Sequence, residues 1–185
     1  MEDGALGLLV QDLDAGFERM VDEHQHRLYA FALGLTGRRQ DAEEVAQDAF
    51  VRAYRALRGY PADRIQSLRL RPWLHRIALN VQRNRVRGRR LEVVPLPERD
   101  EVADGAPQPA EVAERRESSE ELRAALDRLP QRYREAVVLR HVQGLPYAEA
   151  ATVLEQPVGT VKSDVHRGLA MLRAWLERQC EVETA

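Results

Sequence analysis

Residues 146–179 read PYAEAATVLEQPVGTVKSDVHRGLAMLRAWLERQ, and this stretch decides the fold. Val161, Val165, Leu169, Leu172 and Leu176 recur three or four residues apart, the spacing of one helix face. A shorter helical run, PYAEAATVL, precedes them across the turn Glu155–Gln156–Pro157. Two helices on a tight turn, the second polar and basic at its start, match a helix-turn-helix. A recognition helix enters the DNA major groove with its first turns. Thr160, Lys162, Ser163, His166 and Arg167 are therefore expected to face duplex DNA, with Val161, Val165 and Leu169 packed inside. Helical hairpins of this length also occur in plain bundles, so the pattern needs context.

Upstream, Leu122, Ala125, Leu126 and Leu129 continue the periodic pattern after a candidate cap at Ser118 and Ser119. Pro130 then starts a helix that Gly144 breaks. Residues 92–117 mix acids with prolines and carry no aromatic residue, so they are expected to form a flexible linker. Before them lie three more helical patterns. The first runs from Phe17 through Leu35 and stops at Gly37, and the second starts near Asp41 and stops at Gly59 to Pro61. The third, after a loop to residue 70, takes Pro72 in its first turn and buries Trp73, Leu74, Ile77, Ala78 and Val81. This predicts an all-α chain: two small helical domains, 13–91 and 118–179, joined by a flexible acidic linker, with the helix-turn-helix in the second.

Composition agrees. Of the 185 residues only 5% are aromatic, and Ala, Leu, Glu and Arg dominate, which favours helix over sheet. No apolar run approaches the roughly 18 to 20 residues of a membrane span, and the first residues are acidic where a signal peptide would be basic. A cytoplasmic protein without membrane insertion is expected, and the single Cys180 excludes an internal disulfide and any Cys-rich metal site.

The net charge of -2 conceals strong segregation. Residues 64–91 hold nine arginines and no acid, whereas residues 92–121 hold ten acids and three arginines. Such a dense basic block reads as a polyanion surface, because a merely solvated face intersperses both signs. Guanidinium groups pair with phosphates and stack on unpaired bases, and Tyr60 and Trp73 offer flat faces nearby, so single-stranded DNA is the natural ligand. On the second helix, Val45, Ala49 and Phe50 face inward and Glu44, Gln47 and Asp48 project as an acidic and amide patch. Asp41 is expected to cap that helix.

Three stretches in this order carry a resemblance: LTGRRQDAEEVAQDAFVRAYRAL (35–57), RPWLHRIALNVQRNRVRGRR (71–90) and LDRLPQRYREAVVLRHVQGLPYAEAATVLEQPVGTVKSDVHRGLAMLR (126–173). Together they resemble bacterial RNA polymerase sigma factors of the extracytoplasmic-function type. The resemblance implies that Glu44, Gln47 and Asp48 grip the clamp helices of the polymerase largest subunit. It implies that the loop from Pro61 to Leu70 captures a flipped base of the minus-ten promoter element. Arg64, Arg76, Asn80, Arg83, Asn84 and Arg87 are then the minus-ten DNA set, although Asn84 stands where many members have Asp. It further implies that Thr160, Lys162, Ser163, His166 and Arg167 contact the minus-thirty-five duplex, and that an anti-sigma protein is a partner. Two positions depart from the family. Glu155 replaces the usual Gly of the turn and is expected to be strained if φ is positive there, and Asp164 replaces a common Arg and is expected to repel a phosphate.

No catalytic residue, cofactor or metal site is read. His24 and His26 lie on different helix faces, and neither a phosphate loop nor a nucleophile elbow occurs. The competing class is a stand-alone helix-turn-helix regulator, which leaves the acidic patch and the arginine block without a role. The charge pattern also predicts that Glu98, Asp100, Glu101 and Asp104 of the linker screen the arginines in the free protein, the competing reading being a solubilising spacer.

Overall fold

The computed structural model describes residues 2–91 and 121–183, all helices and short connections. The first half comprises α1 (Glu2–Gln11), α2 (Leu13–Thr36), α3 (Arg39–Leu57), α4 (Ala62–Gln66) and α5 (Leu70–Leu91). The second comprises α6 (121–127), α7 (Gln131–Val137) continued by a π-helical turn (Val138–Val142), α8 (Tyr147–Leu154) and α9 (Val158–Glu183).

The chain starts its helices earlier than periodicity suggests. Helix α1 buries Ala5, Leu6 and Leu9. Asp12 then breaks the run: its backbone is extended, and its carboxylate accepts the N–H groups of Asp14 at 3.0 Å and Ala15 at 3.1 Å, capping α2. Gly16 makes the close crossing possible, since a Cβ there would lie 2.4 Å from the backbone nitrogen of Leu9. Helix α2 stops at Gly37, whose φ of 69° satisfies the expectation of a glycine stop.

Phe31, Met20 and Leu28 of α2, Val45 and Leu57 of α3, and Leu70, Leu74 and Leu79 of α5 form the centre of the first half. Each such side chain contributes about 1.5 to 3 kcal/mol by burial, which outweighs intrinsic propensity in fixing these helices. Asp41 is not the cap of α3. Arg38 occupies that position without a side-chain cap bond, and Asp41 sits one turn in, buried and 3.7 Å from Arg85. A short helix, α4, stands in the expected loop before residue 70, with Ile65 buried.

In the second half Gly168 lets α9 cross α7, because a Cβ there would lie 2.6 Å from a Val137 methyl. Val161 and Val165 are buried as expected. Leu169, Leu122 and Leu176, also expected inside, are instead 39%, 50% and 52% exposed: Leu122 sits in the first turn of α6, and on α9 it is Gly168 and Leu172 that take the packed side. The candidate cap at Ser118 and Ser119 and the acidic linker lie outside the described residues.

The two halves meet directly. Gly34 of α2 lies against Val138, and a Cβ at residue 34 would come within 3.0 Å of a Val138 methyl. Gly37 likewise accommodates Asp127. Arg134 donates to the carbonyl oxygen of Leu35 at 3.0 Å and also to Asp127, tying the end of α2 to the α6–α7 turn. One continuous apolar core therefore runs through both halves.

Candidate nucleic-acid interface

Helix α5 and the residue before it carry all the arginines of the basic block except Arg64. Arg69, Arg76 and Arg83 are spaced by seven, two helical turns, so they share a face. That face looks at the second half. Arg69 pairs with Glu149 of α8, Arg76 with Glu155 of the turn, and Arg83 with Glu135 of α7. The Arg83 pair is two-pronged, with donor to acceptor distances of 3.2 and 2.6 Å, and Glu135 is buried. Gln131 donates to the same carboxylate at 2.8 Å.

Between these pairs lies a polar plug. Arg71 donates to the carbonyl oxygen of Gln143, and the His75 ring is 4.7 Å from Phe31. His75 Nδ1 lies 2.7 Å from the Arg71 carbonyl oxygen and Nε2 lies 3.1 Å from the Gln143 side-chain amide. Burial holds the His75 pKa below its ordinary 6.5, and the nearby charges of Arg71 and His24 act in the same direction.

Arg76, Asn80, Arg83, Asn84 and Arg87 lie along one stripe of α5, with Asn80, Asn84 and Arg87 exposed. Arg64 stands apart on α4, its guanidinium 3.8 Å from the Tyr60 ring centroid, and Trp73 lies 6.2 Å beyond Tyr60. The structure thus groups five of the six residues and sets Arg64 beside two aromatic faces.

On α3, Gln47 and Asp48 are exposed and Glu44 is half-buried. Sequence reasoning missed their neighbour. Arg85 of α5 pairs with Glu44 and lies 3.7 Å from Asp41 and 3.9 Å from Asp48, placing one positive charge inside the acidic patch. The signal was the offset of Arg85 from the seven-residue series, which turns it to another face.

In the helix-turn-helix, Lys162, Ser163, His166 and Arg167 are exposed on one side of α9, and Thr160 is half-buried beside them. Lys162 Nζ lies 5.7 Å from the Tyr147 ring centroid, and the Ser163 hydroxyl donates to the Gly159 carbonyl oxygen at 3.0 Å. Glu155 takes φ 56° and ψ 44°, the left-handed conformation in which glycine is usual. Asp164 points inward, contrary to the expectation of a clash with phosphate: it is fully buried and accepts from Arg132 Nε at 2.6 Å. Residues 161, 164, 165 and 168 share the inner face, so the acid follows its buried neighbours. The Arg132 pKa is raised by that hydrogen bond and by the Asp164 charge.

Among the described residues no group of three His, Cys, Asp or Glu is arranged to hold a metal, and no helix is long and apolar enough to cross a membrane. Exposed cationic and amide groups thus line parts of α5 and α9, and α3 exposes an acidic and amide patch that Arg85 partly neutralises.

Comparison with known proteins matches two segments of the chain. Residues 20–92 match sigma-70 region 2 and residues 119–172 match sigma-70 region 4. The chain is 36% identical over 171 residues to the ECF RNA polymerase sigma factor SigE of Mycolicibacterium smegmatis, covering 91% of this chain and 64% of that protein's length. It is 32% identical to the ECF RNA polymerase sigma factor SigW of Bacillus subtilis, covering 89% of this chain and 90% of that one. A solved structure of CnrH in complex with the cytosolic domain of CnrY superposes with a TM-score of 0.70 at 27% identity, covering 94% of this chain and 96% of that one. Regions 2 and 4 in one chain define a sigma-70 type protein. Within that class, the chain belongs to the extracytoplasmic-function sigma factors of RNA polymerase.

Proposed function

We propose that the chain joins core RNA polymerase through Glu44, Gln47 and Asp48, reads the minus-ten element as a melted strand and reads the minus-thirty-five element as duplex. It acts in the cytoplasm and catalyses nothing itself. The carrying observation is the stripe Arg76, Asn80, Arg83, Asn84 and Arg87 on α5, in the segment that matches region 2. Alternating guanidinium and amide groups supply phosphate contacts and base-edge hydrogen bonds along one line, as a single strand requires. Arg64 with Tyr60 and Trp73 supplies a stacking corner beside it. On the second half, Lys162, His166 and Arg167 bring cationic and hydrogen-bonding groups to the first turns of α9, and Thr160 and Ser163 flank them.

Residues 13–91 then serve as region 2, 92–117 as a linker and 118–179 as region 4. An anti-sigma protein is the expected partner, in keeping with the family and with CnrH having been solved with the cytosolic domain of CnrY. Reconstitution with core polymerase and mapping of transcript starts tests the reading. Specific starts that need both components support it. A stand-alone helix-turn-helix regulator would instead bind duplex promoter without core.

A further inference from the structure

We propose that α1 is a positioning element for promoter capture: it props α4, and through α4 it sets where Arg64 and Tyr60 meet a base of the minus-ten strand. This rests on the functional reading above, with residues 61–70 as the base-capturing segment. Helix α1 ends at Gln11, before the segment matched to region 2 begins at residue 20. Helix α4 cannot stand by itself. It has five residues, far below the roughly 12 to 15 at which an isolated helix persists in water, and Pro61 at its start makes no side-chain cap bond. From Pro61 to Arg69 only Ile65 is buried and Leu68 half-buried, and every other residue is exposed. Tertiary packing must therefore hold the segment.

That packing comes from α1. Among the described residues α4 packs chiefly on α1, rather than on its sequence neighbours α3 and α5. Ile65 shares one apolar core with Ala5, Leu6 and Leu9 of α1. Helix α1 is itself set firmly on α2. Asp12 caps α2 directly after α1 ends, and Gly16 lets the two backbones approach, since a Cβ there would lie 2.4 Å from the Leu9 nitrogen and 2.6 Å from its Cα. A line of contacts thus runs from α2 through α1 to α4. At its far end the Ser67 hydroxyl donates to the Arg64 carbonyl oxygen at 3.0 Å, and the Arg64 guanidinium lies 3.8 Å from the Tyr60 ring centroid. A shift of α4 moves that cation relative to the aromatic face. Without its prop, α4 would be ordered only as the strand binds, and the lost conformational entropy would be subtracted from the affinity. The loss would fall on the base that α4 handles, and spare core binding at α3 and duplex binding at α9.

The test uses the full chain reconstituted with core polymerase and a promoter duplex with a pre-melted minus-ten bubble, made as a set in which each bubble nucleotide in turn is abasic. For the parent, one abasic position should weaken binding about fivefold or more, the share of one stacked base. In Leu6→Ala with Leu9→Ala that sensitivity should fall below about twofold, while core affinity and minus-thirty-five duplex binding stay within about twofold of the parent. Leu6→Met with Leu9→Met, close to the parent in volume, should restore it. Ile65→Ala cuts the same contact from the α4 side by a single truncation, and carries the test where the double variant does not fold. It should erase the same sensitivity, and combining it with the α1 changes should add nothing further. Retained sensitivity in the folded variants overturns the proposal. So does a loss that Ile65→Ala spreads evenly over core binding and every bubble position, because a merely stabilising α1 would act in that way. A parent insensitive to every abasic position refutes the minus-ten reading itself, and the proposal falls with it.

Discussion

Arg83 and Glu135 hold each other through both guanidinium prongs and both carboxylate oxygens, although 52 residues separate them. Helix α7 buries Glu135 against a cation that α5 supplies and the Gln131 amide, since a buried carboxylate without such partners would carry a large desolvation cost. The pair is thus a recognition element between the two halves of the chain. It joins a residue assigned to DNA with one on the inner face of the helix-turn-helix half.

The acidic patch on α3 separates folding from function. Gln47→Ala with Asp48→Ala removes two exposed side chains from a helix anchored by Val45, Ala49 and Ala53, so circular dichroism should be unchanged while core binding is lost. Unchanged core affinity would refute the assignment. Arg85→Ala tests the same patch with the opposite sign: without its internal cation the patch is more negative, and core affinity should rise about two- to fivefold at low salt. Equilibrium titration of labelled protein with core measures both.

At Glu155 two effects oppose each other. A left-handed non-glycine residue costs roughly 1 to 2 kcal/mol, while the Arg76 pair, about half exposed on both sides, contributes about 0 to 1 kcal/mol after screening. Glycine also makes the unfolded chain more flexible, which takes back about 0.4 to 1 kcal/mol. Glu155→Gly should therefore leave unfolding stability within about 1 kcal/mol of the parent, measured by urea denaturation. A loss well beyond that would mean that the ion pair dominates.

The helix-turn-helix, the glycine stop at Gly37 and the inward faces of α3 and α5 were legible because each is written in the spacing of neighbouring residues. The seam between the halves was not. Arg69, Arg76 and Arg83 are visible as a series, but their partners lie on three separate elements, and no periodicity links Glu135, Glu149 and Glu155 to them. Helix α1 was missed because only Ala5, Leu6 and Leu9 mark its buried side within an acidic terminus. Asp164 was read outward because buried acids are uncommon, yet its place between Val161, Val165 and Gly168 put it on the inner face.

His75 gives the fold a pH dependence of definite sign. Burial lowers its folded pKa, whereas the unfolded chain takes up a proton near 6.5. Between those values the unfolded state binds more protons, so stability is full above about 6.5 and declines as the pH falls through that window. At pH 5.5 the loss is at most about 1.4 kcal/mol, one pKa unit's worth. Urea denaturation at pH 7.5 and 5.5 should show this decline for the parent and a smaller one for His75→Gln. Equal slopes would assign the effect to other groups.

Arg167 tests the upper promoter element. It is exposed beside His166, on the face of α9 opposite the buried Val161 and Val165. Arg167→Ala should therefore weaken minus-thirty-five binding without altering strand binding at α5. A bidentate base contact would cost about 1 to 3 kcal/mol and relax preference at one base pair; a phosphate contact would cost less, act evenly on all sequences and lower the salt slope by about 1. Binding of duplexes carrying single base-pair changes, repeated at two salt concentrations, separates these two outcomes. An unaltered footprint together with unaltered promoter activity would mean that α9 meets the groove by a different face.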